Sequence, residues 1–311
     1  MKDSEKTLTI VYQFGKVAST SLVNTLAKLP SLDVHQSHFL GESALQRIIP
    51  IAVDKSTNAY FHEHLCGQLM ANVALTYRMN RVLAGHGTSK LKVISLSREP
   101  LEWLRSGLLQ DIAGYRTDLL ALAEMEGIES SDELETLERA LESVLVRIAA
   151  IIETKGGITP TVEEFHSLGG KAMLAPLGAD LPLIARKLFF LALRPHTWFE
   201  EHFRPCFGIG LEDFEADAGL WTLRQPRADF VLLRYEDLKD RLADAVAALG
   251  VGPVDTLQRD NVSRTKPFAG TVAAAFASET AQVLRNQLLL SDYARFFGYD
   301  RALAMSGAAA E

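Results

Sequence analysis

Lys16 stands between Gly15 and the run Ser19, Thr20, Ser21, so one ammonium and three hydroxyls fall within six residues. With the backbone amides of Gly15, Val17 and Ala18, these groups suit a bound phosphate or sulfuryl group. The apolar run Leu8, Ile10, Val11, Tyr12, Phe14 precedes them, and a helical stripe of Leu22, Val23 and Leu26 follows. The segment therefore predicts a buried strand, a tight loop and a helix whose first-turn amides and positive dipole end face an anion. It is not a Walker A loop. That motif needs a glycine five residues before the Gly-Lys pair, and Ile10 stands there.

A second segment, VISLSREPLEWLRSG, reads as a strand ending at Ser97, with Arg98 at its carboxyl edge and Pro100 opening a helix. Ser106 comes eight residues after Arg98, about two helical turns in. Ligands of parallel α/β sheets bind beyond the carboxyl ends of strands, so Arg98 and the Lys16 loop are expected to share a crevice. Histidine is the natural base near neutral pH. Read as a strand, AYFHEHL sets His62 and His64 on one face, one able to act on a hydroxyl and the other to orient it. His35 and His38 would face opposite ways, which makes His38 the reserve candidate. An H-x-H pair also suits zinc, but no third ligand stands at a recognisable spacing, and no metal is expected.

These residues need a sheet to hold them. Strands are expected at Leu32–Leu40, Asn58–Leu65, Leu91–Leu96 and Phe230–Leu233, alternating with helices, which predicts an α/β fold with a mostly parallel sheet flanked by helices. Residues 108–205 read as a helical insertion within a single domain covering 1–311. Its clearest helix carries Leu134, Leu137, Leu141, Val144, Leu145, Ile148 and Ile151 behind a Ser130/Glu133 capping box. That stripe could form a homodimer seam, although packing on its own domain is the commoner outcome. A last helix is expected over Thr271–Leu290. Asp237 reads as a helix cap or a partner of Arg234, and Trp198 and Phe199 as core or as the lining of an acceptor cleft.

With 32 basic and 39 acidic residues the net charge is -7, which argues against a general nucleic-acid surface. Two cysteines, Cys66 and Cys206, are too few for a disulfide framework and read as buried thiols in a reducing cytoplasm. No apolar run approaches the roughly 20 residues of a membrane span, and the start lacks the pattern of a signal peptide.

Taken together, FGKVASTSL and SREPLEWLRS resemble the two nucleotide-binding motifs of sulfotransferases that use 3′-phosphoadenosine 5′-phosphosulfate (PAPS). The style is that of the carbohydrate branch, which includes the heparan sulfate and uronyl 2-O-sulfotransferases and capsular polysaccharide enzymes. The resemblance implies a P-loop-like core with Gly15, Lys16, Val17, Ala18, Ser19, Thr20 and Ser21 on the 5′-phosphosulfate and Arg98 and Ser106 on the 3′-phosphate. It also implies Lys16 and the pair His62 and His64 as catalytic groups, Arg264 and Lys266 in a loop closing over the nucleotide, a saccharide hydroxyl as acceptor, and 3′-phosphoadenosine 5′-phosphate (PAP) as product. LLRYEDL, HTWFEEHF and FFGYD are similar to further features of the family, while residues 108–190 are hardly covered. A strongly anionic acceptor would call for a basic cleft from Arg105, Arg116, Arg194 or Arg204. Two other readings stay open: a nucleotide kinase with a degenerate loop, which would need magnesium, and a non-catalytic nucleotide-binding module.

Overall fold

The computed structural model describes residues 6–53, 62–87, 89–128, 130–168, 182–254, 257 and 266–303, with the backbone alone at 47–48, 50–53 and 62–65. The chain divides into two compact units, Met1–Arg98 with Trp198–Asp260, and Glu99–Thr197 with Asn261–Glu311.

The first unit holds the sheet. Among the described residues six strands, β1 (Thr7–Tyr12), β2 (Leu32–Ser37), β3 (Leu91–Ser97), β4 (Glu215–Asp217), β5 (Leu220–Arg224) and β6 (Ala228–Arg234), lie in the order β2-β1-β3-β6-β5-β4. β1 runs parallel to β2 and β3, and β3 parallel to β6, whereas β5 and β4 turn back antiparallel. The parallel majority explains the composition of β1 and β6. Each is buried on both faces, so a continuous apolar run replaces alternation. Helices α1 (Ser19–Leu26) and α9 (Leu238–Ala248) pack on the sheet, and α2 (Glu42–Val53) packs against α3 (His62–Leu83).

One expected strand is helical in its described residues. Residues 62–83 are helical, so the reading of Asn58–Leu65 as a strand fails at 62–65, and 58–61 lie outside the described residues. The aromatic start suggested a strand, but the Leu, Gln, Met and Ala residues that follow favour a helix, and 22 residues of it propagate back through the histidines.

The second unit is helical: α4 (Pro100–Met125), α5 (Glu133–Thr154), α6 (Ile158–Leu168) and most of α7 (Leu183–Trp198), joined by α10 (Ala269–Ala275), α11 (Glu279–Leu288) and α12 (Asp292–Phe297). Between α7 and α9 the first unit adds a short α8 (Arg204–Phe207). The α5 stripe is buried at Leu137, Leu141, Val144, Leu145 and Ile148 against α4, α10 and α11, so it builds this unit's own core and is not open as a dimer seam; Leu134 is exposed. The α5 cap is Asp132, whose carboxylate accepts from the Leu134 amide at 2.9 Å, and not Ser130. The single C-terminal helix expected over 271–290 is instead α10 and α11, followed by α12. Ser278 interrupts it and Ser291 follows it, each turning its hydroxyl to cap the next helix.

Candidate functional site

Three adjacent parallel strands end at Tyr12, Ser37 and Ser97, and each is followed by residues singled out by the sequence. After β1 the loop Gln13–Ala18 leads into α1. Gly15, Lys16 and Ala18 all have positive φ, at 87°, 57° and 60°. For Lys16 and Ala18 this left-handed backbone costs about 1–2 kcal/mol each. A Cβ at Gly15 would meet only His38 Cε1 at 4.0 Å, so glycine serves there for its conformation and not for space. Successive left- and right-handed residues curl backbone amides into a concave anion site. The helix behind it starts on Ala18, which offers no side-chain cap, and its first turn holds no acidic residue. The positive end of the α1 dipole is thus left for an external anion. Ser19, Thr20 and Ser21 occupy that first turn; Ser19 and Ser21 are buried and Thr20 is exposed.

Arg98 locks the loop from the end of β3. Its guanidinium donates to the Lys16 carbonyl at 2.7 Å and lies over the Tyr235 ring at 4.4 Å. The expected proximity of Arg98 to the Lys16 loop is therefore present within one unit. From the end of β2 come Gln36 and His38. Gln36 Nε2 donates to Ser19 Oγ at 2.9 Å, and His38 Nδ1 lies 2.7 Å from the Gln13 carbonyl. A carbonyl only accepts, so Nδ1 carries the proton, and Nε2 keeps the lone pair that meets the Gln36 amide at 3.4 Å. The Gln13 side chain in turn accepts from the Gly15 amide. The reserve histidine thus stands beside the loop in the tautomer a base requires.

The remaining candidate residues lie elsewhere. Positions 62 and 64 are helical and stand about 200° apart around the axis, so the shared face argued from a strand is lost. Their side chains, and Arg264, lie outside the described residues. Ser106 lies in α4, whose start is as expected: Pro100 is the first residue, and Glu99 caps it by accepting from the Glu102 amide at 2.7 Å. Lys266 belongs to the same helical unit and is half-buried. Trp198 and Phe199 are core, not cleft. Trp198 is fully buried with its ring 4.9 Å from Tyr12 and 5.7 Å from Phe14, and a π-helical turn over Phe199–Phe203 continues this cluster. Asp237 pairs with Arg234 and makes no side-chain cap. Cys66 and Cys206 are half-buried rather than buried, form no disulfide, and burial pushes the Cys206 thiol up to about 12. Three of the four arginines named for a basic cleft are engaged by carboxylates: Arg105 by Glu102, Arg116 by Glu133, and Arg204 by Glu200 and Glu212.

Gln13, Gln36 and Tyr235 were not foreseen. The signal was available, since each is a polar or aromatic residue within one position of the carboxyl end of a parallel strand.

No family model matches the chain. No curated protein and no solved structure matches it either. Among the described residues, no group of three or more His, Cys, Asp or Glu could hold a metal ion, and no helix is long and apolar enough to cross a membrane.

Proposed function

We propose that the chain is a PAPS-dependent sulfotransferase with a P-loop-like core, acting on a hydroxyl of a saccharide. The observation that carries the reading is the bond from Arg98 to the carbonyl of Lys16, which joins the two sequence motifs through one loop. The residues present fit such a donor. A strained loop of amides, an uncapped helix start, one lysine and buried hydroxyls answer a phosphosulfate, and the short loop has no second glycine with which to wrap a triphosphate.

The donor, when bound, supplies a sulfuryl group whose bond to phosphate breaks as a bond to the acceptor oxygen forms. Lys16 offsets the charge growing on the departing phosphate, a role whose loss typically costs about 2.7–4 kcal/mol of barrier. Ser19, Thr20 and Ser21 with the loop amides hold the 5′ end. Arg98 is assigned to the 3′-phosphate; the spacing from Arg98 adds Ser106, and the family resemblance adds Lys266 in a loop over the nucleotide. His38 is the proposed base: its protonated Nδ1 is held by the Gln13 carbonyl, and its Nε2 takes the acceptor proton. Because Arg105, Arg116 and Arg204 already meet carboxylates, an acceptor of low charge suits the chain better than a highly sulfated one. The half-buried, unlinked thiols suit a cytoplasmic setting.

Thermal denaturation with PAP, with and without magnesium, tests the reading. Stabilisation independent of magnesium and lost in Lys16→Ala supports it. A shift seen only with ATP and magnesium would replace it with a kinase.

A further inference from the structure

The amino edge of the same sheet, opposite to the loop, carries its own cleft of about 470 Å³. Lys6 just ahead of β1, Leu8, Asp33 at the start of β2, Arg78, Arg81 and Val82 of α3, and His86, Gly87 and Ser89 ahead of β3 line it. Three full cations therefore face one carboxylate, in a chain whose net charge is -7.

That carboxylate is already committed. Asp33 binds Arg78 and accepts from His35 at 2.9 Å; burial pushes its pKa up, but these two partners more than offset it and hold it below the usual range, so it stays ionised. Among the described residues, the side chains of Lys6, Arg81 and His86 have no hydrogen bond or ion pair. A cation in the last turn of a helix is ordinary compensation for its dipole, which accounts for Arg81 alone. It does not account for Lys6, just ahead of β1, or for His86, beyond the end of α3.

The rim is fixed in place. The His86 amide donates back to the Arg81 carbonyl at 2.9 Å and Gly85 takes φ 90°, closing α3 with a left-handed cap. From outside, Arg227 donates to the carbonyls of Val82 and Gly87 at 3.3 and 3.1 Å. Leu8 and Val82 give the cleft an apolar floor. Two full cations, Lys6 and Arg81, and the His86 ring, on a rim pinned through its backbone and over an apolar floor, form an anion site.

We propose that this amino-edge cleft binds a small phosphate-bearing molecule, a diphosphate or a phosphate ester, through Lys6, Arg81 and His86. It is separate from the donor loop and does not depend on the sulfotransferase reading. Isothermal titration with pyrophosphate, in the full chain carrying Lys16→Ala and Arg98→Ala to silence the loop, tests it at constant ionic strength. Saturable one-to-one binding is expected, weakened at least tenfold by Arg81→Glu and likewise by Lys6→Glu on the other side of the cleft. Both positions are exposed, and unchanged far-UV circular dichroism shows that the variants fold. Non-saturating association, absence of binding, or binding indifferent to both charge reversals would overturn the proposal.

Discussion

Replacing Ala18 by glycine should stabilise the sheet unit, against the usual cost of glycine. At φ 60° an L-residue loses about 1–2 kcal/mol relative to glycine. Glycine gives back about 0.4–1 kcal/mol through the larger entropy of the unfolded chain. The difference leaves Ala18→Gly more stable by about 0.8 kcal/mol, with a span from near zero to about 1.6. The control is Ala74→Gly, an exposed position inside α3, where the same change should cost about 1 kcal/mol. Urea unfolding followed by tryptophan fluorescence in a Trp103→Phe background reads the unit directly, because the remaining tryptophans, Trp198 and Trp221, both lie in it. If Ala18→Gly loses as much stability as Ala74→Gly, the loop is not held in a left-handed conformation and the argument for a strained anion cradle fails.

In the helical unit, Leu141→Ala, at a fully buried position of α5, should lose about 2–5 kcal/mol in thermal or urea unfolding. Burial holds the Glu99 pKa above its ordinary value, with Arg285 at 3.0 Å pulling against that rise. A raised folded pKa means the contribution of Glu99 to stability is full below the ordinary carboxylate pKa and is lost as pH rises through the folded one. Removing Arg285 raises that pKa further, so Arg285→Ala should cost about 1–3 kcal/mol at pH 7 and little at pH 4, read by urea midpoints at the two pH values. His38→Ala should lower release of PAP from PAPS in the presence of saccharide acceptors about 10²–10⁴-fold while PAP still binds; equal losses in His62→Ala and His64→Ala alone would return the base to those positions.

The parts of the molecule legible in the sequence were those governed by local rules. The buried run before Gly15 and the proline at the start of α4 declared themselves, because a parallel strand must be apolar on both faces and proline suits a first helical turn. His62 and His64 misled because a short aromatic segment has no period of its own, and the long helix downstream decides its conformation. The C-terminal helix looked continuous because serine can lie within a helix, yet Ser278 and Ser291 each begin a new one. The polar network of Gln13, Gln36 and His38 was hidden for another reason. It joins residues about 25 positions apart, and only the register of β1 against β2 brings them together. The same holds for the stacking of Arg98 on Tyr235, which depends on β3 pairing with β6.

The central claim is that the loop and Arg98 together hold a nucleotide carrying a 3′-phosphate. Isothermal titration of the full chain with PAP and with adenosine 5′-monophosphate, in the wild type and in Arg98→Ala, tests it most directly. A charge-assisted hydrogen bond contributes about 1.5–3 kcal/mol, so PAP should bind roughly 10–150 times more tightly than the monophosphate, and Arg98→Ala should erase that preference. Equal affinity for the two nucleotides in the wild type, or a preference that survives the loss of Arg98, would contradict the account.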